Sequence, residues 1–320
     1  MRARSPQSSM NIIFMGTAEL SYASLERLAA DPRFNIAAVV TQPDKPRGRE
    51  LHLQQPPVKV LAQQLGLPVL QPPRARDEAF ISELRAIMPE LIVVAAYGHI
   101  LPQAILDLPR YGCLNVHTSL LPRYRGAAPI QWAIAEGETQ TGATIMKMDA
   151  GMDTGPILAQ MPTPILPEDD SASLHNRLAK LGAELLLKTI PDYVSGRLQP
   201  GPQPEGATYA PKIKKEDGHI NWNLAAQSIF NRMRAFKPWP GAFTFLKHDS
   251  KSLLLKIWQA DVVDNKGPAG QILSAGENGI VIGCGDRALR VTELQLEGGR
   301  RMRAREFLTG HSLKVGESLK

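Results

Sequence analysis

The run Leu91-Ile-Val-Val-Ala-Ala96 limits this chain more than any other stretch. It is apolar at every position and too short for an ordinary helix, which predicts a strand buried on both faces. Asn11-Ile-Ile-Phe-Met15 and Phe34–Thr41 have the same character. Leu20–Leu28, Pro57–Leu65 and Asp77–Met88 show helical spacing, Pro68–Gln71 reads as a short strand, and Pro102–Asp107 as a short helix. Buried strands alternating with helices imply a mostly parallel, Rossmann-like α/β sheet. Ligands of such sheets bind beyond the carboxyl ends of the strands. Ala96-Tyr-Gly-His99 and Asn115–His117 both fall at such ends and can share one crevice. A dinucleotide is poorly supported, because the first turn is Gly16-Thr-Ala-Glu19 rather than a full Gly-x-Gly-x-x-Gly, and no P-loop is present.

Further along, Gly142–Asp149 and Ile157–Ile165 read as a hairpin around the loop Ala150-Gly-Met-Asp-Thr-Gly-Pro156. Ser171–Ile190 carries Leu174, Leu178, Leu181, Leu185 and Leu186 at helical spacing behind a capping residue. Pro191–Gly206, rich in Pro, Gly and Gln, reads as a linker. After the charged loop Lys212–Gly218 and a helix over Asn223–Ala235 come five short segments of strand character. They are Gly241–Leu246, Leu253–Ala260, Gly270–Ser274, Ile280–Cys284 and Leu289–Leu296. They suggest a small β-barrel of the OB kind. The expected organisation is therefore a disordered extension over 1–9, an α/β domain over 10–190, a linker over 191–210 and an OB-like domain over 211–320. Trp239, set between two prolines, reads as core packing.

The longest apolar run, Leu91–Leu101, is broken by Gly98 and His99 and is too short to span a membrane. No apolar stretch of a secretory signal follows the basic leader. Cys113 and Cys284 lie far apart in apolar runs, which speaks against a disulfide framework or a metal site. A cytoplasmic protein is the default expectation. Residues 1–210 hold 19 Lys and Arg against 20 Asp and Glu, while residues 211–320 hold 18 against 11. The whole net charge of +6 thus comes from the last third of the chain, which fits a polyanion partner or a surface kept basic for solubility.

Chemistry concentrates in Gly112–Gly126. Two polar residues, Asn115 and His117, interrupt its apolar start at alternate positions, so on a strand they share one face. An amide donor beside an imidazole suits an oxygen that gains negative charge. A satisfied polar pair where a strand meets its loop is the competing reading. Asp153, flanked by Gly151 and Gly155, offers a carboxylate that favours a charged imidazole. Asp149, a rival carboxylate at a strand end, reads as structural. Ser119 lacks a nucleophile elbow, so attack by a substrate group fits better than a covalent intermediate.

Asn115-Val-His117, Ser119-Leu-Leu-Pro122, Arg125-Gly126 and Met152-Asp-Thr-Gly155 together resemble the folate-dependent formyltransferases. The match extends along almost the whole chain from Met10. It takes in Thr41-Gln-Pro-Asp-Lys-Pro46, Ala96-Tyr-Gly98, Gly126–Gln131, Thr208-Tyr-Ala210 and Pro238-Trp-Pro240, and is closest to the members that act on charged initiator tRNA. This resemblance implies 10-formyltetrahydrofolate as co-substrate, no metal, and the α-amino group of methionyl initiator tRNA as acceptor. It implies catalytic roles for Asn115, His117 and Asp153, and a folate site at Ser119, Leu120, Leu121 and Pro122 with Tyr97, Gly98, His99 and Ile100. It further implies tRNA contacts at Arg47 and Arg49 in a basic loop, where Glu50-Leu51-His52 depart from the family's usual basic residues. Lys212, Lys214 and Lys215 join them as contacts of the basic last third, and a monomer is expected. A formyltransferase acting on a sugar-nucleotide amine or another small amine is the alternative. A nonenzymatic RNA-binding protein is the alternative of another class.

Overall fold

The computed structural model describes residues 9–47, 52–248 and 251–320. Of the expected extension over 1–9, only Ser9 lies within them. The chain packs as two units. The first takes residues up to 129 together with 140–164 and 174–210, and the second takes 130–139, 165–173 and 211–320.

The first unit is built on a seven-stranded sheet. Its order is Ile157–Pro164, Gln140–Lys147, Cys113–His117, Leu91–Ala95, Met10–Gly16, Phe34–Val40 and Val69–Leu70. The last five run parallel, and the first two form the expected hairpin, added antiparallel at one edge. Alternate residues of the same strands feed two cores. Ile12, Phe14, Leu91, Val93, Leu114 and Val116 enter one, and Ile13, Met15, Ile92, Val94 and Cys113 enter the other. A period of two with both sets apolar is what a doubly covered sheet requires.

The long helix Ser171–Val194 supplies Leu185, Leu186 and Ile190 to the first of these cores. A Cβ placed on Gly182 would lie 2.6 Å from Val116 Cγ1, so the helix lies against the strand that carries Asn115 and His117. Gly182→Val is expected to destabilise the protein by about 1–3 kcal/mol through overpacking. A urea titration should show a lower midpoint at an unchanged slope.

The segment expected as a linker, 191–210, carries ordered contacts within the first unit. The helix runs through Pro191 to Val194, because Tyr193 and Val194 pack on the core. Gly201 then exchanges backbone hydrogen bonds with Ile157. Tyr209–Ala210 pairs parallel with Arg125–Gly126.

In the second unit all five expected strands form one antiparallel sheet. Its order is Ala242–His248, Lys251–Val263, Ala288–Leu296, Gly279–Gly283 and Ile272–Gly276, and Met302–Arg303 adds to the third of these. The C-terminal residues bridge the two edges. Lys320 exchanges both backbone hydrogen bonds with Phe245 on one edge strand. At the other edge, Ile272 N–H donates to Glu317 C=O and Leu319 N–H to Gly270 C=O. This covers edges that would otherwise offer unpaired backbone groups, in the manner of a barrel.

Two helices, Pro129–Ala135 and Ala304–Gly310, and the pairing of Lys45–Arg47 with His52–Gln54 go beyond the sequence expectations. Trp239 corrects one of them, being 59% exposed. Phe236 is the side chain that this turn buries, and Gly241 N–H donates to Phe236 C=O across the turn, leaving Trp239 on the outside. No described helix is long and apolar enough to cross a membrane.

Candidate active site

The strand Cys113–His117 turns Val116 toward the long helix and places Asn115 and His117 together on the opposite face. A loop from the neighbouring hairpin meets that face. Asp149 shapes the loop, its Oδ1 accepting from Gly151 N–H at 3.0 Å and from Thr154 Oγ1 at 2.7 Å, which fits its structural reading. A Cβ on Gly155 would lie 1.9 Å from Lys147 C=O, so the return of the loop admits only glycine. Between these anchors Asp153 takes the left-handed conformation, with φ of 53°. Asp tolerates that region better than most residues.

The carboxylate of Asp153 is the hub. Its Oδ1 accepts from Asn115 Nδ2 at 3.3 Å, and its Oδ2 accepts from Gly126 N–H at 2.8 Å. The same Oδ2 lies 3.7 Å from His117 Nδ1. On the other side of the ring, His117 Nε2 is 2.9 Å from Tyr124 C=O. A carbonyl can only accept, so Nε2 carries a proton. Nδ1 faces a carboxylate at a distance too long for a good hydrogen bond. The ring nitrogen on that side is therefore not tied up by Asp153. Asn115 likewise uses one amide proton on Asp153 and keeps the other.

These groups border a cavity of about 480 Å³. Tyr97, Gly98, His99 and Ile100 form one wall, and Met152 and Asp153 part of another. The first wall is pinned by Tyr97 C=O, which accepts from Thr17 Oγ1 and Gln42 Nε2, each at 2.9 Å. Tyr97 is buried, its phenol is pushed up to about 12 by that burial, and its hydroxyl has no hydrogen-bond partner among the described residues. Ser119, Leu120, Leu121 and Pro122 do not border the cavity. They form the turn behind it, where Ser119 Oγ donates to Arg123 C=O at 2.6 Å and Leu121 N–H to Thr144 Oγ1 at 3.2 Å. Among the described residues no three His, Cys, Asp or Glu side chains group as metal ligands.

A second layer holds the two loops that meet at Asp153. Gln203 Nε2 donates to Asp153 C=O and Gly155 C=O, both at 2.8 Å, while its Oε1 accepts from the Arg125 guanidinium. Thr208 Oγ1 accepts from Tyr124 N–H at 2.9 Å, and Ala210 C=O accepts from Ala127 N–H and Ala128 N–H. Gln203, inside a Pro-, Gly- and Gln-rich stretch, carries no signal of this role in the sequence. Thr208-Tyr-Ala210 stood out only through the resemblance. Gln203→Ala is expected to lower kcat roughly tenfold to a hundredfold, since small displacements of reacting groups carry penalties of that order. The measurement is steady-state kinetics, with the melting temperature as control.

Of the expected tRNA contacts, Arg49 and the departing residues Glu50 and Leu51 lie outside the described residues, as do the side chains of Arg47 and His52. Lys212, Lys214 and Lys215 are exposed in the second unit. Asp217 Oδ2 accepts from Lys214 N–H at 2.7 Å and fixes their turn.

Residues 10–190 match the formyl transferase family model, and residues 212–312 match that of the formyl transferase C-terminal domain. The methionyl-tRNA formyltransferase of Citrifermentans bemidjiense is 49% identical over 310 residues, covering 97% of this chain and 96% of that protein. The methionyl-tRNA formyltransferase of Caldanaerobacter subterraneus subsp. tengcongensis is 50% identical over 315 residues, covering 97% of this chain and 100% of that protein. Among solved structures, an N-formyltransferase from Helicobacter canadensis, in complex with folinic acid and dTDP-3-aminofucose, shares the fold. It has a TM-score of 0.65 at 19% identity, covering 88% of this chain and 98% of that one. With both domains matched in order and relatives near half identical along its length, the chain belongs to the methionyl-tRNA formyltransferase family of formyl transferases.

Proposed function

We propose that this chain transfers the formyl group of 10-formyltetrahydrofolate to the α-amino group of methionyl initiator tRNA; its relatives' names give methionyl-tRNA as the acceptor. The observation that carries the reading is the convergence of an amide, an imidazole and a carboxylate beside one cavity of about 480 Å³. That volume suits a folate-sized ligand head.

The reaction needs no enzyme nucleophile. The neutral amine attacks the formyl carbon, a carbon–nitrogen bond forms, and the carbonyl electron pair moves onto oxygen. Asn115 Nδ2–H and His117 Nδ1–H hold that oxygen. As the carbonyl re-forms, the bond to N10 breaks and N10 leaves with a proton, while the amine gives up one of its own. Asp153 keeps both donors oriented and orders a water that carries the amine proton away. A free α-amino group has a pKa of about 7.7–8.0, so an adequate neutral fraction exists near neutral pH without a strong base. The products are N-formylmethionyl-tRNA and tetrahydrofolate.

Tyr97–Ile100 border the folate site in this reading, and the Ser119–Pro122 turn supports it from outside the cavity lining. Lys212, Lys214 and Lys215, with Arg47 and Arg49, make backbone contacts that position the tRNA without reading its sequence. Charge reversal at Arg49 should weaken tRNA binding and flatten its salt dependence; unchanged values would remove that residue from the interface. The chain works as a monomer in the cytoplasm, and light scattering at assay concentration tests the first of these. The deciding experiment offers 10-formyltetrahydrofolate with methionyl initiator tRNA, free methionine or a nucleotide-linked amino sugar. Formylation of the tRNA alone is expected, and formylation of the sugar in its place would overturn the assignment.

A further inference from the structure

An exposed tryptophan stands at the apex of a turn in the second unit. Phe236 and Pro240 are buried and anchor the two ends, while Lys237, Pro238 and Trp239 between them are exposed. Arg232 lies over the Phe236 ring at 5.1 Å and over Trp132 at 5.7 Å, and those two rings meet edge to face at 5.7 Å. The base of the turn is therefore packed, and the hydrogen bond from Gly241 N–H to Phe236 C=O closes it at 2.9 Å.

The same turn abuts the lysine-bearing segment. A Cβ on Gly218 would lie 3.0 Å from Pro240 Cγ and 2.1 Å from Gly241 C=O, so the Lys212–Gly218 segment and the Trp239 turn are in contact through their backbones. Arg232 reinforces the junction by donating to Asp217 C=O at 3.2 Å. Lys237 is exposed in the turn itself, and Lys212, Lys214 and Lys215 are exposed on the segment that Gly218 brings to it. Of the local acids, Glu216 is exposed, Asp217 accepts from Lys214 N–H, and Asp170 lies 3.6 Å from Lys237. An aromatic face held clear of the protein among lysines suits a partner that combines negative charge with flat apolar rings. Nucleic acid has both, its phosphates meeting the lysines and an unpaired base stacking on the indole.

We propose that Trp239 is a stacking platform for an unpaired base of the tRNA substrate, flanked by Lys212, Lys214, Lys215 and Lys237. The proposal rests on the tRNA reading above and adds a contact of a different physical kind. Stacking contributes affinity that is nearly independent of salt, whereas each lysine on a phosphate adds to the salt slope.

The test measures binding of initiator tRNA between 50 and 200 mM salt, a range over which phosphate contacts weaken by orders of magnitude. It compares the full chain with Trp239→Ala, Trp239→Phe and the double variant Lys214→Gln/Lys215→Gln. Trp239→Ala should bind about tenfold more weakly with an unchanged salt slope, and Trp239→Phe should recover most of the loss. The lysine variant should lower the slope by about two. In turnover, Trp239→Ala should raise KM for the charged tRNA and leave kcat and the folate KM unaltered. Indole emission that is quenched by tRNA in the parent chain and not in Trp239→Phe gives a second readout. Wild-type affinity in Trp239→Ala, or a loss that appears as a changed slope, would overturn the proposal and point to a protein or membrane partner or to none. A parent chain that neither binds nor formylates tRNA would instead sink the functional reading itself.

Discussion

His117→Ala is expected to lower kcat at least 10²–10³-fold while the protein stays folded, the loss typical of removing one oxyanion donor and equivalent to about 2.7–4 kcal/mol of transition-state stabilisation. The ring is 6% exposed and lies between Tyr124 C=O and the Asp153 carboxylate. Its removal leaves two acceptors facing each other with no proton between them. A structural histidine would show its loss in the melting temperature. A histidine that holds developing charge shows it in single-turnover rate at saturating folate, with KM for tRNA little changed. Asn115→Ala should fall by a similar factor. The double variant should lose less than the product of the two, because both donors serve one oxygen. Turnover within tenfold of the parent in either single variant would remove the trio from the mechanism.

Asp153→Asn should cost more, roughly 10³-fold or beyond in kcat, since the carboxylate orders both donors as well as bearing charge. Asn adopts left-handed backbone as readily as Asp, so the φ of 53° at this position is no obstacle. What changes is the polarity of one edge. An amide NH₂ now faces either Asn115 Nδ2, or Gly126 N–H together with His117 Nδ1, donor against donor, where Oδ1 accepted from Asn115 and Oδ2 accepted from Gly126 and faced His117. Asp153→Ala removes the acceptor altogether and should further destabilise the fold by about 1–3 kcal/mol through the unpaired Gly126 N–H. The pair of variants separates chemistry from packing: equal loss of activity with unequal loss of stability is the expected pattern. A Asp153→Asn enzyme within tenfold of the parent would sink the role assigned to the carboxylate.

The strands and long helices were legible in the sequence because their signal is local. Leu91–Ala95 is apolar at every position, and a strand with both faces covered leaves no other pattern. The face shared by Asn115 and His117 followed from the period of two. Asp153 was legible as a candidate through its flanking glycines and the family motif, though not the distances from it. The second layer was invisible for a physical reason. Gln203 and Thr208 reach partners 48 to 84 residues away, and a Pro-, Gly- and Gln-rich composition looks the same whether the chain is free or pinned by such bonds.

Trp239 makes the same point from the other side. Two flanking prolines fix a turn but carry no sign of which side of it faces solvent, and the buried place was taken by Phe236. The closing segment of the barrel, Glu317–Lys320, has no strand pattern; its backbone meets both edges and only Leu319 enters the core. The doubly covered sheet, the five strands of the second unit and the polar pair at Asn115 and His117 are set by local pattern, because periodicity and residue type act within a few positions. What Asp153 touches, what holds its loop and which aromatic is left in water come from the packed chain, because they depend on contacts between segments that no local pattern encodes.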